Sequence, residues 1–132
     1  MSLGISYTPV AGTPVYDITF TEFADSALPR SYSSDVSYDL SANGATILSG
    51  PAFRQKYIWA ISAHQRPEKA QEFDAMFRAW DEDRSNGYNA AVGIIDDTFG
   101  TQVSGSAVFS TAPSYVYVSP SITLVTFGLS EV

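Results

Sequence analysis

The chain has 132 residues and no cysteine, which is the size of one ordinary domain. Hydrophobic residues make up 45% and charged residues 16%, so there is enough apolar surface for a core and the composition is not that of a disordered protein. A net charge of −7 opposes binding to nucleic acid and to anionic lipid, and a single histidine without cysteine opposes a zinc site. We therefore expect a single domain over residues 1–132 with no metal, nucleic-acid or membrane role.

The start of the chain lacks the basic residues and the apolar run of a secretion signal. No apolar stretch approaches the ~18 to 20 residues of a membrane span. We expect the protein to be made and folded in solution, and the absence of cysteine leaves its compartment open.

Residues 15–21 alternate polar and apolar side chains and are rich in β-branched and aromatic types, which predicts a strand. Its apolar face would carry Tyr16, Ile18 and Phe20. Residues 22–34 contain a proline, several serines and acids that break any period, so we predict a loop. We expect this loop, and a second segment at residues 97–102, to reach a neighbouring molecule and to order only on assembly.

Two further β features lie before residue 64. Asn43-Gly44 separates residues 35–41 from residues 45–49, and because both turn residues tolerate positive φ, this predicts a β-hairpin. Residues 53–63 predict a long central strand with alternating faces. Its apolar face would carry Phe53, Tyr57, Trp59, Ile61 and Ala63.

Residues 67–84 predict a helix, with proline at the first position, acids in the first turn and Asn86-Gly87 as the stop. Its apolar stripe is wide enough to seat the helix on a sheet. The residues of that stripe are Ala70, Phe73, Met76, Phe77 and Trp80. Because the connection from the preceding strand is short, we expect the stripe to pack against the strand that carries Tyr57 and Trp59.

The β pattern resumes after residue 90. Strands are predicted at residues 91–95, 103–110, 115–118 and 122–129, with turns at Asp96-Asp97, Ala112-Pro113 and Ser119-Pro120. Six of the seven basic residues lie between Arg54 and Arg84 and none follows Arg84, so an acidic surface and a mixed-charge surface would face different neighbours. Together these elements predict an α+β fold, a mainly antiparallel β-sandwich or distorted barrel with one flanking helix.

No group of residues forms a recognisable catalytic site. Residues 81–87 come nearest to a calcium loop, but the required glycine and glutamate are not at their positions. Asp96-Asp97 is better explained as a turn than as a carboxylate pair, and His64, the only imidazole, has no nucleophile motif beside it and is predicted to end a strand. We expect no enzyme activity and no cofactor.

Charged and tyrosine side chains on polar strand faces and in turns are instead candidates for protein contacts. Two cations on the polar face of the long strand could be covered by an acidic patch of another copy. Three acids near the helix C-terminus oppose the helix dipole, so either a partner holds them or the fold simply tolerates them. The candidate assembly contacts are Arg30, Tyr32, Arg54, Lys56, Asp81, Asp83, Asp96, Asp97, Tyr115 and Tyr117.

Three stretches resemble small tail proteins of tailed bacteriophages. They are FDAMFRAW at residues 73–80, AVGIIDD at 91–97 and ITLVTFGLSEV at 122–132. The order of elements carries the resemblance: a long aromatic-rich strand, one helix, a strand, and a closing V-x-F-x-L-x-E-V strand. That last strand matches at Val125, Phe127, Leu129, Glu131 and Val132, and the resemblance covers residues 53–132.

The resemblance implies a structural subunit of a phage tail or baseplate that self-assembles into a ring, often six-fold, and docks on the tail tube or hub. Its partners would be further copies and other tail or baseplate proteins, and its location would be the virion after synthesis in the bacterial host cytoplasm. Two alternatives stay open. One is a carbohydrate-binding or adhesion module, which the predicted core positions of Trp59 and Trp80 disfavour; the other is a small hydrolase, for which no nucleophile and base are visible.

Overall fold

Residues 2–24, 30–32, 37–42, 44–49, 56–97 and 102–132 are described by a computed structural model of the chain. These ranges contain ten strands and one helix. The strands are β1 (Leu3–Tyr7), β2 (Tyr16–Phe20), β3 (Glu22–Phe23), β4 (Arg30–Tyr32), β5 (Ser37–Leu40), β6 (Thr46–Ser49), β7 (Tyr57–Gln65), β8 (Val92–Asp96), β9 (Val103–Ser119) and β10 (Ile122–Glu131). The helix α1 (Pro67–Ser85) connects β7 to β8.

Eight of the strands form one antiparallel sheet in the order β2-β1-β8-β9-β10-β7-β3, and β4 also pairs with β7. The sheet curls until the rings of Phe20 on β2 and Phe127 on β10 lie 5.4 Å apart. The Gln65 side-chain amide also donates a hydrogen bond to the Thr19 carbonyl oxygen. The predicted α+β fold is confirmed, and of the two forms considered it is sandwich-like and not a closed barrel.

The predicted range of the helix is confirmed to within one residue, and its apolar stripe is buried except at Phe77, which is partly buried. The expectation that this stripe packs on the strand carrying Tyr57 and Trp59 is wrong, because α1 lies instead against β2, β9 and β10. The Phe73 ring lies 5.3 Å from Phe20 and 4.7 Å from Phe127, measured between centroids. The curl of the sheet explains the difference, since it brings β2 over the concave face that the helix fills.

The alternating core of β7 is confirmed, because Trp59, Ile61 and Ala63 are buried; its predicted beginning at residues 53–55 lies outside the described residues. The predicted hairpin is also confirmed. Strands β5 and β6 are antiparallel, with Leu40 opposite Thr46 and Gly44 at a φ of 83°.

Three local predictions are wrong. The loop predicted at residues 22–34 contains β3 and β4, which pair with β7 within the chain and so do not wait for assembly. The turn predicted at Ala112-Pro113 is absent from the described fold, because β9 runs unbroken through both residues. Asp96 is the last residue of β8 and not a turn residue. The other segment expected to order on assembly is residues 97–102, and its residues 98–101 lie outside the described residues.

Among the described helical residues there is no stretch with the length and apolar character needed to cross a membrane.

Candidate assembly surface

The end of the β9–β10 pair, residues 114–124, forms a surface that we call the distal hairpin. It exposes five large apolar or aromatic side chains, with exposed fractions from 37% to 74%. They are Tyr115, Val116, Tyr117, Val118 and Ile122. The sequence from residue 98 to residue 130 contains no Asp, Glu, Lys or Arg. Exposed apolar side chains on both faces of an uncharged strand pair are typical of a protein interaction site.

Irregular pairing separates the distal hairpin from the body of the sheet. The register of β9 against β10 shifts on both sides of Gly128, which lies opposite Thr111. A Cβ at position 128 would lie 3.0 Å from the Thr111 Oγ1 and 3.1 Å from the Ser110 Oγ, so any other residue here would push these two side chains outward. Such bulges bend a strand and increase its twist. Beyond Ala107, where its pairing with β8 ends, β9 pairs among the described strands with β10.

The two tyrosines of the distal hairpin lie on the helix side of the sheet. Tyr115 pairs with the buried Val125, and directly opposite residues in an antiparallel pair share a face. Burial, and then the nearby Asp74 carboxylate on α1, raise the pKa of the Tyr115 phenol. Asp74 in turn accepts an ion pair from Arg78 at 3.0 Å.

A groove of about 440 Å³ lies between the helix and the distal hairpin. Its lining consists of Pro67, Ala70, Gln71, Asp74, Arg78, Tyr115 and Thr123. Since the lining holds one carboxylate and one guanidinium, the groove is electrically neutral on a chain of charge −7.

Asp96 is buried within the chain. Its carboxylate has no solvent-exposed surface and accepts hydrogen bonds from the Arg30 Nη1 and the Trp59 Nε1, both at 3.0 Å. The Arg30 guanidinium also lies over the Tyr57 ring, 5.3 Å from its centroid. Two of the predicted assembly contacts, Arg30 and Asp96, are therefore brought together as an internal ion pair that fixes β4 to β8 across the sheet.

A second exposed surface lies where β7 begins, and we call it the tyrosine edge: Tyr32, Lys56 and Tyr57. The rings of Tyr32 and Tyr57 stack with centroids 4.8 Å apart, and their hydroxyl oxygens are 3.2 Å apart. Tyr32 is 57% exposed, and Lys56 immediately precedes β7. Arg54, predicted to share this region, lies outside the described residues.

The acids at the helix C-terminus bind groups of their own chain. Asp83 accepts hydrogen bonds from the Tyr7 hydroxyl and from the Val10 backbone N–H, the latter at 3.1 Å. Asp81 forms an ion pair with Arg84 at 2.6 Å. Both carboxylates are therefore held within the chain, and neither needs a partner molecule to hold it. Asp97 is exposed, and its backbone N–H donates to the Ser2 carbonyl oxygen.

The Tyr7–Asp83 bond gives a test at high pH. Burial, and then Asp83, raise the pKa of the Tyr7 phenol above its usual value of about 10. The folded state thus favours the protonated phenol, so this stabilisation is complete below about pH 10 and is lost as the pH rises further. Tyr7→Phe should lower the free energy of unfolding by about 1.5–3 kcal/mol at pH 7, as expected for a hydrogen bond to a charged group.

Urea unfolding of Tyr7→Phe and of the parent at pH 7, 9 and 11 measures both effects. The difference in stability between the two proteins should shrink at pH 11, while Tyr115, whose pKa is raised as well, leaves part of the alkaline slope in the variant. Tyr88→Phe, at an exposed tyrosine, controls for loss of a hydroxyl alone. A cost at Tyr7 that equals the cost at Tyr88 would contradict this role of the bond.

The predicted contacts occupy three separate places: the distal hairpin with Tyr115 and Tyr117, the tyrosine edge with Arg30 and Asp96 behind it, and the helix C-terminus. Sequence reasoning missed Val116, Val118 and Ile122, although the uncharged run from residue 98 to residue 130 is a signal that could have found them. In the described part of the chain no three acids or histidines cluster as metal ligands. Neither a protein-family model nor a curated protein matches this chain.

Proposed function

We propose that this chain is a non-enzymatic structural subunit that assembles with copies of itself, as a ring component of a phage tail or baseplate. The observation that carries the proposal is the distal hairpin, an uncharged surface of exposed Tyr, Val and Ile side chains on a strongly acidic protein. Copies of charge −7 repel one another, and a neutral apolar surface is where that repulsion is weakest.

A closed ring requires two different surfaces on each copy, because one surface meets another on the next subunit. The distal hairpin and the tyrosine edge meet that requirement. The hairpin is paired with β7 at Gln65, and the tyrosine edge lies at the opposite end of the same strand, at Tyr57. At a rise of about 3.3 Å per residue these ends are about 26 Å apart. The resemblance of residues 53–132 to small tail proteins supplies the tail or baseplate context.

The alternative of a carbohydrate-binding module finds no support in the described tryptophans. Sugar-binding surfaces use exposed aromatic rings, whereas Trp59 and Trp80 are 1% and 4% exposed. Their indole N–H groups donate to Asp96 and to the Ala90 carbonyl oxygen. Both side chains therefore belong to the core.

Light scattering over a range of protein concentrations, with negative-stain images of any large species, tests the proposal. We expect rings of three or six copies, or tubes. Tyr32→Ala and Tyr117→Ala should each shift the population towards smaller species, because each removes a large exposed ring from one of the two surfaces. Tyr88→Ala, at an exposed tyrosine outside both surfaces, should leave the distribution unchanged.

A protein that is monomeric at every concentration contradicts self-assembly in solution. Assemblies that respond equally to all three tyrosine substitutions contradict the choice of surfaces.

A further inference from the structure

The outer half of β9 is a sheet edge. Strand β8 pairs with β9 only as far as Ala107, and from residue 108 to residue 119 the described strands contact β9 on one side only, through β10. An edge strand offers backbone N–H and C=O groups to another strand. Proteins usually guard such edges with charged side chains, and this one carries none over residues 98–130. Pro113 is the one guarding residue, and it leaves residues 114–119 open to pairing.

The charges beside this edge are self-complementary. The groove between α1 and Tyr115 of this edge strand is lined by Asp74 and Arg78, one residue of each sign. The Arg78 side chain is 79% exposed, so it can reach a second molecule. In a two-fold contact residue i of one copy meets residue j of the other and the reverse holds as well. Such a contact can place Arg78 of each copy near Asp74 of its neighbour.

We propose that the outer half of β9 pairs antiparallel with the same strand of a second copy of this chain, around a two-fold axis. The pairing continues the sheet across two molecules and covers Tyr115, Val116, Tyr117 and Val118. It does not depend on a role in a phage tail. If the chain also forms rings, the β9 pairing is a second contact, separate from the one between neighbouring subunits of a ring. It joins two rings or pairs two subunits.

A second copy fits this edge better than a charged partner does. An acidic or basic partner would find no opposite charge on the distal hairpin, because residues 98–130 are neutral. Two copies of the chain can meet here because β9 brings no like charges together. Each groove holds one Asp74–Arg78 pair, so the acid of one copy can face the base of the other. Electrostatic complementarity of this kind fixes orientation and register.

The absence of cysteine from the chain makes disulfide trapping a clean test, because any disulfide of a single-cysteine variant joins two molecules. We would place one cysteine in turn at each of residues 114–119 of β9, since the register of the pairing decides which residue lies on the two-fold axis and so faces its own copy. Thr126→Cys is the matched control: Thr126 lies directly opposite Ser114, is also exposed, and belongs to β10, one strand in from the edge.

Two cysteines form a disulfide only when their Cα atoms lie within about 7 Å. In the proposed dimer the two copies of residue 126 are separated by three strand spacings, about 14 Å, and cannot be joined. Under mild oxidation we expect at least one β9 variant to give about tenfold more covalent dimer than Thr126→Cys. Ser114→Lys, which places like charges across the edge, should weaken association about tenfold, whereas Thr126→Lys should not.

The outcomes separate this proposal from the proposed function. Dimers joined through β9, without rings, support the pairing and contradict the ring. Rings in which no β9 cysteine exceeds the Thr126 control overturn the pairing alone. A protein that stays monomeric and forms no disulfide overturns both.

Discussion

Asp96→Ala should lower the free energy of unfolding by about 3–5 kcal/mol, the cost expected when one partner of a buried ion pair is removed. The carboxylate is fully buried and the Arg30 side chain is only 9% exposed, so the substitution removes a carboxylate that pairs with the guanidinium where water hardly reaches. It also removes the acceptor of the Trp59 indole N–H, a buried donor. Both losses affect the attachment of β4 to the sheet.

Asp97→Ala is the matched control, because it removes an adjacent carboxylate that is exposed. We expect it to change stability by less than about 0.5 kcal/mol, as is usual for surface substitutions. Urea unfolding followed by tryptophan fluorescence measures both variants, and the environment of Trp59 should change in Asp96→Ala before unfolding begins. Equal costs at the two positions would show that the Arg30–Asp96 pair adds nothing to the fold.

Features set by neighbouring residues could be predicted from the sequence. The helix followed from its proline start, its apolar period and the Asn86-Gly87 stop, and the structure ends it at Ser85. The β5–β6 hairpin followed from the φ that Gly44 adopts. Each of these signals lies inside the element that it specifies, so no knowledge of distant residues was needed.

The strand predictions failed where pairing partners decide the outcome. Pro113 indicates a turn when read locally, yet it is tolerated in β9 because that part of the strand lies at an edge and needs no N–H on its outer side. Strand β1 was not predicted separately, although Leu3, Ile5 and Tyr7 alternate with polar or small residues and are all buried. Five-residue strands carry little periodicity of their own, and neighbouring strands determine whether they form.

The candidate contacts failed for a related reason. The residues of the Arg30–Asp96 pair are 66 positions apart, and those of the Tyr7–Asp83 bond are 76 apart, so nothing near Asp96 or Asp83 in the sequence shows that a partner within the chain exists. Composition over a longer window was more informative than single residues. The uncharged run from residue 98 to residue 130 contains the whole distal hairpin.

Phe73→Ala should be as costly as Asp96→Ala, by about 3–5 kcal/mol, through loss of packing instead of charge. Phe73 is fully buried, and its ring contacts those of Phe20, Phe109 and Phe127, with centroids between 4.7 Å and 5.9 Å away. These three rings come from β2, β9 and β10. Phe73 is therefore the side chain through which the helix holds β2, at one end of the sheet, against β9 and β10.

Phe77→Ala is the matched comparison, one turn further along the same helix. Phe77 is only partly buried. Its ring contacts Trp80 on the helix and Phe109 on β9, and no ring of β2 or β10. Because less area is lost and water can enter the space, we expect a cost roughly half that of Phe73→Ala. Thermal and urea unfolding of both variants gives the ratio. Equal costs would mean that the helix is held mainly by its contact with β9, and that the contact of Phe73 with β2 does not stabilise the curl.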